Sequence, residues 1–158
     1  MQHKHFAVIV LTQLMLISVL AGCSSSEEQQ AKYLDRAQEQ YDAGDLKKSR
    51  LELRNVLQIN RYNPQARYLL ALIYADQANW RDVSKNLTLA IEYAPDFIDA
   101  RIKMGGLLFQ FGPGADDNTL EQADAVLALD SQNADAHALR AVVFRRQGET
   151  EDAINEAQ

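Results

Sequence analysis

The sequence predicts an all-α fold built from repeated helical hairpins, and three observations support this. The stretch Asn63–Pro95 reads as two short helices, and its second half places apolar residues at helical spacing. Its first half is too apolar for a helix with one buried face, so we expect neighbours on two sides. The same pattern returns after 34 or 36 residues, which is typical of a solenoid of helix pairs.

Helix boundaries in this central hairpin are marked by residues that favour them. Asn63 is expected to cap the first helix, and Pro64 suits its first position, where a missing N–H costs nothing. Asn79 is expected to cap the second helix, which Pro95 ends. Trp80 follows Asn79 at the start of the apolar pattern, and we expect its side chain to be buried.

The hairpins on either side differ in their turns. In the preceding one, Asp45 is expected to cap the second helix. In the following one, the predicted turn Gly112–Asp117 is longer than the others. Gly112 is expected to end a helix in a left-handed conformation, with Pro113 preventing its continuation. Asn118 and Glu121 resemble a capping box that starts the next helix.

The spacing of small residues resembles the tetratricopeptide repeat. That family places a small residue midway in the first helix of each repeat, here Ala37, Ala71, Gly105 and Ala141. It places another at the turn between the helices, here Gly44, Ala78, Gly112 and Gly148. The resemblance implies a solenoid over 31–158, with repeats at about 30–62, 63–95 and 96–132 and an incomplete one at 133–158. The closing proline of the family pattern is present only as Pro95.

The first 22 residues read as a signal peptide. Lys4 lies in a short basic head, and Phe6–Leu20 forms an apolar run that is shorter than the roughly 20 residues needed to span a bilayer. The sequence Leu-Ala-Gly-Cys at 20–23 then resembles a bacterial lipobox. The polar sequence that follows, within 23–30, is predicted to be a flexible tether.

The lipobox resemblance implies a covalent lipid modification and a location in the cell envelope. In that family the cysteine thiol receives a diacylglycerol, the leader is cut off before it, and the new amino group is acylated. We therefore expect palmitate-type acyl chains on Cys23, the only cysteine in the chain. Ser24 rather than aspartate follows it, which resembles the signal for transfer to the periplasmic face of the outer membrane.

No catalytic, cofactor or metal site is predicted. After Cys23 the chain has one histidine, His137, whereas an enzyme needs a nucleophile, a base and a stabilising group within reach of one another. The acidic cluster Glu149, Glu151 and Asp152 falls at a predicted helix start, where carboxylates favour the helix dipole. A net charge of −6 disfavours binding to a phosphate backbone, so nucleic acid is not an expected partner.

The resemblance also implies a binding face. In the tetratricopeptide family, the first helices of successive repeats line a concave groove that holds a peptide or a partner helix. Carried over by register, the main groove residues are Tyr41, Tyr68, Leu72, Asp76, Ile102, Phe109, Gln110, Val142, Arg145 and Arg146, with Leu34, Gln38, Gly106 and Ala138 beside them. The middle is aromatic and apolar and the C-terminal end is basic, so a ligand with an apolar segment and an acidic end is expected.

The leading functional hypothesis is a non-catalytic, membrane-anchored scaffold in the periplasm, serving envelope assembly, secretion or polysaccharide export. The chain is similar to repeat lipoproteins of the PEP-CTERM and exosortase type. One alternative is the substrate-holding arm of a longer envelope enzyme whose catalytic domain lies beyond Gln158, because the fourth repeat is unfinished. A second is glycan binding, with Tyr41, Tyr68 and Phe109 stacking on sugar rings.

Overall fold

The computed structural model describes residues 26–112 and 114–157, which contain helices and turns but no strand. The predicted all-α class is confirmed. The helices are α1 (26–42), α2 (Leu46–Ile59), α3 (Pro64–Asp76), α4 (Trp80–Tyr93), α5 (Ile98–Phe111), α6 (Asp116–Leu129), α7 (Ala134–Gln147) and α8 (Thr150–Glu156). The predicted signal peptide, the lipobox with Cys23, and Pro113 lie outside the described residues.

The helices belong to two compact units, which divide between Arg61 and Tyr62. The first unit holds the hairpin α1–α2. Its buried Ser49 hydroxyl donates a hydrogen bond of 2.7 Å to the carbonyl of Ala37, which is itself fully buried. Ala37 is thus a small residue in a close helix contact, as the repeat pattern predicts.

The second unit holds three hairpins, α3–α4, α5–α6 and α7–α8, whose partner helices pack on each other. The α4 helix also packs on α5, α6 on α7, and α5 on α7. Two buried clusters lie between these helices. The first contains Ala71, Val83, Leu87, Ala90, Ala100 and Met104, and the second contains Ala123, Val126 and Ala136.

Gly105 shows why the pattern requires a small residue midway in the first helix. A Cβ atom placed on Gly105 would lie 2.7 Å from Cδ1 of Leu139, closer than real Cβ contacts allow. Helices α5 and α7 can therefore pack closely at this point because Gly105 has no side chain. Leu139 in turn packs against the second cluster.

The predicted caps are confirmed in three helices. Asp45, Asn63 and Asn79 each accept a hydrogen bond from the backbone N–H three residues on, at 3.0, 2.7 and 3.4 Å. Such a bond satisfies one of the four N–H groups that a helix start leaves without an intrahelical partner. Helices α5 and α6 have Phe97 and Ala115 at their N-cap positions, and neither residue makes a side-chain cap hydrogen bond.

The predicted capping box at Asn118 is wrong, because the N-cap position of α6 is Ala115, three residues earlier. The hydroxyl of the buried Thr119 donates to the carbonyl of Ala115 at 2.9 Å, which places Thr119 inside the first turn. Gly112 also departs from prediction, with φ −108° in place of a left-handed value. Gly114 takes the positive φ of this turn, at 83°.

The predicted tether is wrong for residues 26–30, which are helical and belong to α1. Lys32 Nζ pairs with Glu28 Oε1 at 2.7 Å, one turn apart along this helix. Glu27 and Glu28 also lie near its start, where carboxylates interact favourably with the helix dipole. Local charge order therefore favours helix in a stretch whose composition alone indicates a flexible spacer.

Ala78 is in a left-handed conformation, with φ 53°, where the turns of the first and last hairpins have Gly44 and Gly148 at 77° and 85°. This conformation is unfavourable for a residue with a Cβ atom by about 1–2 kcal/mol, whereas glycine adopts it freely. We expect Ala78→Gly to raise the free energy of unfolding by up to about 1 kcal/mol, after the greater entropy of an unfolded glycine is subtracted. Urea titration followed by circular dichroism measures this change.

Ala125→Gly is the matched control, because Ala125 lies in the middle of α6. There the same substitution is expected to lower the free energy of unfolding by about 1 kcal/mol, since glycine is a poor helix former. A decrease at both positions would show that the conformation of Ala78 carries no strain.

Candidate partner-binding face

The predicted groove residues lie on the first helix of each hairpin, as expected. On α3, α5 and α7 of the second unit, those with partly exposed side chains are Tyr68, Leu72, Ile102, Gly106, Phe109 and Val142. Those that are exposed are Asp76, Gln110, Ala138, Arg145 and Arg146. Tyr41, Leu34 and Gln38 lie on α1 in the first unit, where Tyr41 and Leu34 are partly exposed and Gln38 is exposed.

Arg146 joins the ends of three helices. Its guanidinium carbon lies 3.9 Å from the ring centroid of Phe109, and Nη1 donates to the Phe109 carbonyl at 2.9 Å. Nη2 forms an ion pair with Asp116 at the start of α6. Its charge is thus neutralised within the protein, although the sequence predicts that it faces a ligand. Arg145 is exposed and makes no ion pair with any residue in 26–112 or 114–157.

Tyr68 and Ile102 belong to the packing between repeats. Tyr68 packs against the first cluster, and its ring lies 5.1 Å from that of Phe97 at an angle of 55°. Ile102 packs against the second cluster. Both side chains are therefore engaged in packing within the protein. A glycan-stacking role for Tyr68 is disfavoured, because its ring already contacts Phe97 and the first cluster.

An apolar strip remains on this face of the second unit. We define it by Leu72, Gly106, Phe109, Ala138 and Val142, all from the first helices of the hairpins. A Cβ atom placed on Gly106 would meet no atom within 4 Å, so space is open above α5. Ala138 has the smallest side chain that a helix can present there apart from glycine. A partner's side chain would therefore meet no steric obstacle at Gly106.

An aromatic pair was not predicted. Trp80, the first residue of α4, and Phe111, the last of α5, stack with ring centroids 4.7 Å apart and an interplanar angle of 34°. Trp80 is 39% exposed and Phe111 46%, so the predicted burial of Trp80 is wrong. The two rings meet because the start of α4 lies beside the end of α5. The spacing of apolar residues along each helix does not predict a contact between residues at the ends of two different helices.

His137 lies at a second polar contact, between α7 and α8. Its Nδ1 lies 2.7 Å from Oε2 of Glu156, and its Nε2 lies 3.2 Å from the carbonyl oxygen of Ser131. The hydrogen bond with Glu156, supported by that with the Ser131 carbonyl, raises the pKa of His137 above its usual value. Helices α7 and α8 also border an open cleft of about 670 Å³, lined by Gln132, Ala134, His137, Ala138, Ala141, Val142, Asn155, Glu156 and Ala157.

The described part of the chain contains no group of three or more His, Cys, Asp or Glu side chains that could hold a metal ion. Within residues 26–112 and 114–157, no helix is long and apolar enough to cross a membrane.

No protein-family model and no curated protein matches this sequence. Solved structures do. YrrB, a TPR protein with an unusual peptide-binding site, is 20% identical with a TM-score of 0.65, over 80% of this chain and 64% of YrrB. The chain has the tetratricopeptide-repeat fold. This fold confirms the predicted architecture of repeated helical hairpins.

Two further structures share the tetratricopeptide-repeat fold at lower identity. MamA is 16% identical with a TM-score of 0.70, over 81% of this chain and 74% of MamA. PilF of Pseudomonas aeruginosa is 13% identical with a TM-score of 0.73, over 84% of this chain and 60% of PilF. The chain therefore spans about three quarters of MamA and less than two thirds of YrrB and PilF.

Proposed function

We propose that this chain is a lipid-anchored scaffold that holds a protein or peptide segment on the apolar strip of its second unit. The observation that carries the proposal is the open space above Gly106, next to the partly exposed Phe109 on the same helix. A folded helix rarely keeps a glycine in its interior, because glycine costs about 1 kcal/mol relative to alanine. Room for a partner's side chain is a physical reason for one here.

Charge supports a partner with an acidic group. Arg145 is exposed at the C-terminal end of the face, while the protein as a whole has a net charge of −6. A segment that places an apolar side chain over Gly106 and a carboxylate near Arg145 would meet complementary groups at both points. The fold supports the same interpretation, because YrrB is a TPR protein with a peptide-binding site.

The envelope location rests on the sequence at 20–23. Several acyl chains on Cys23 would hold the protein at a membrane, since each buried CH₂ contributes about 0.8 kcal/mol. The helix α1 is present by Ser26, so the repeats would lie close to the lipid surface. We propose a function in envelope assembly, secretion or polysaccharide export, and a relation to the repeat lipoproteins of the PEP-CTERM and exosortase type.

Site-specific photo-crosslinking in cells tests the binding face. A photoreactive phenylalanine analogue at position 142, on the strip, is expected to form a discrete crosslinked product. The same group at position 85 is the control, because Lys85 is exposed on α4 and outside the strip. Equal crosslinking at both positions, or none at position 142, would contradict the proposal.

Two variants of Gly106 separate binding from stability. Gly106→Leu is expected to fill the open space and reduce the crosslinked product at least tenfold, while Gly106→Ala retains it; tenfold corresponds to about 1.4 kcal/mol. Both variants should be as stable as the wild type or more so, since alanine and leucine are better helix formers than glycine. Thermal unfolding checks this point. Retained crosslinking in a folded Gly106→Leu protein would show that the partner does not enter this space.

One alternative function has a specific observation in its favour. The chain is similar to 22% of an O-GlcNAc transferase from Thermobaculum terrenum, with 23% identity and a TM-score of 0.65 over 75% of this chain. A repeat segment of this kind can therefore form part of a larger enzyme. The substrate-holding arm of a longer envelope enzyme is thus our second candidate, and reading the codons after Gln158 tests it.

A further inference from the structure

The third hairpin contains a polar link made by one arginine. Arg101 on α5 donates from Nε to the carbonyl of Pro95 at 2.7 Å, and from Nη1 to Oε1 of Gln122 at 3.0 Å. Pro95 lies in the connection before α5, and Gln122 lies on α6. A single guanidinium thus ties the first helix of the hairpin to the preceding connection and to the second helix.

His137 makes the same link in the fourth hairpin. It lies 36 residues after Arg101, and its carbonyl partner, Ser131, lies 36 residues after Pro95. Its side-chain partner is Glu156 on α8, 2.7 Å from Nδ1. The geometry of the third hairpin is therefore repeated, with an imidazole in place of the guanidinium and a carboxylate in place of the amide.

The exchange makes the link dependent on protonation. Both oxygens that His137 contacts are acceptors, namely a carboxylate oxygen and a backbone carbonyl oxygen. A neutral imidazole has one N–H and can donate to only one of them, whereas the imidazolium donates to both. A guanidinium, by contrast, keeps its charge at any pH at which proteins fold.

We propose that His137 is a pH-dependent positioning residue that holds α8 against α7 when its ring is protonated and loosens α8 when the ring becomes neutral. This inference rests on the contacts of His137 and not on the proposed partner binding, although Ala138 and Val142 of the apolar strip also line the open cleft. It does affect the open cleft, because Asn155, Glu156 and Ala157 of α8 form one wall of it. Deprotonation would therefore alter the shape of this cleft.

The charges around the ring determine how far α8 is loosened. Glu156 faces His137 from α8, and Arg140 faces it from α7 itself. Arg140 also binds the other carboxylate oxygen of Glu156 at 2.9 Å and binds Asp124 of α6 at 3.0 Å. Glu156 thus keeps one cationic partner after His137 loses its proton. We expect α8 to become more mobile and not to detach.

The direction of the pH effect follows from the same contacts. The hydrogen bond with Glu156 raises the pKa of His137 in the folded protein above the usual 6.5. The stabilising effect of the link is therefore fully present at pH values below the pKa that His137 has in the unfolded chain. It is lost as pH rises through the higher pKa of the folded protein.

Nuclear magnetic resonance of the full chain tests the inference. The imidazole signal that disappears in His137→Arg identifies His137 among the three histidines, and its titration gives the pKa. We expect a value above that of an exposed histidine, and a decrease towards it in Glu156→Gln. The hydrogen-exchange protection factors of the α8 amides, corrected for intrinsic rates, are expected to fall severalfold as pH rises through this pKa.

His137→Arg is the decisive variant, because it installs the residue that the third hairpin already uses. Its α8 amides are expected to keep their protection at high pH, while amides of α4 behave alike in both proteins. The inference is overturned if α8 protection in the wild type does not follow the titration of His137. It is equally overturned if His137→Arg, folded as shown by its α4 amides, retains the wild-type pH dependence.

Discussion

Replacing Leu87 with alanine is expected to lower the free energy of unfolding by about 2–5 kcal/mol. Leu87 is 0% exposed and lies in the first buried cluster, between Val83 and Ala90 of its own helix and Ala71 and Ala100 of neighbouring helices. Several of these neighbours are alanines and have little freedom to move into the space that is left. The loss would be a large part of the roughly 5–15 kcal/mol that stabilises a typical domain.

Leu129→Ala is the matched control for this prediction. Leu129 is 52% exposed at the end of α6, so the same truncation should change the free energy of unfolding by no more than about 0.5 kcal/mol. Urea titrations of the wild type and both variants, followed by circular dichroism, measure the difference. Similar midpoints for Leu87→Ala and the wild type would mean that the helices do not pack as described.

The second large effect is expected at Cys23. Cys23→Ala removes the only thiol of the chain, so incorporation of labelled palmitate should fall to background, and the protein should no longer remain with the membrane fraction through its mature N-terminus. The physical reason is that the acyl chains expected on Cys23 are what would hold the protein at a membrane, at about 0.8 kcal/mol for each buried CH₂. Metabolic labelling followed by fractionation measures both properties.

Ser24→Ala is a suitable control for the cysteine variant, because it changes the adjacent side chain and leaves the thiol in place. It should be labelled as strongly as the wild type. Label that persists in Cys23→Ala would place the acyl chains elsewhere. Absence of label in the wild type would contradict the lipobox interpretation and, with it, the proposed location.

The parts of the fold that the sequence predicts correctly depend on local chemistry. Asn63, Asn79 and Asp45 cap their helices because a side-chain oxygen needs only the N–H groups three residues away. Ala37 and Gly105 are small because each faces a neighbouring helix, and that requirement recurs with the repeat. Both signals can be read within one repeat length.

The departures from prediction involve competition between local preference and packing. Asn118 has the chemistry of a cap, but burial of Thr119 fixes the first turn of α6 at an earlier residue. Likewise, Glu28 and Lys32 extend α1 into a stretch whose composition favours a loop. Composition and cap chemistry do not reveal which of two nearby helix starts buries the better residue.

The candidate binding face is predicted only in outline for a related reason. Register places Arg146 and Tyr68 on the correct helices, but it does not give their contacts. Arg146 turns to Asp116, which is 30 residues away, and Tyr68 turns to Phe97. Such pairings depend on side-chain conformations between helices, so the exposed residues of the face emerge only from the structure.

The packing of the second unit also bears on how quickly it folds. Its extensive contacts join helices that are consecutive in the sequence, or helices separated by one other helix, such as α5 and α7. Chains with such local contacts close only short loops on the way to the native state, and they typically fold within microseconds to milliseconds. A segment of this kind can acquire its structure one hairpin at a time, each new hairpin packing on the one formed before it.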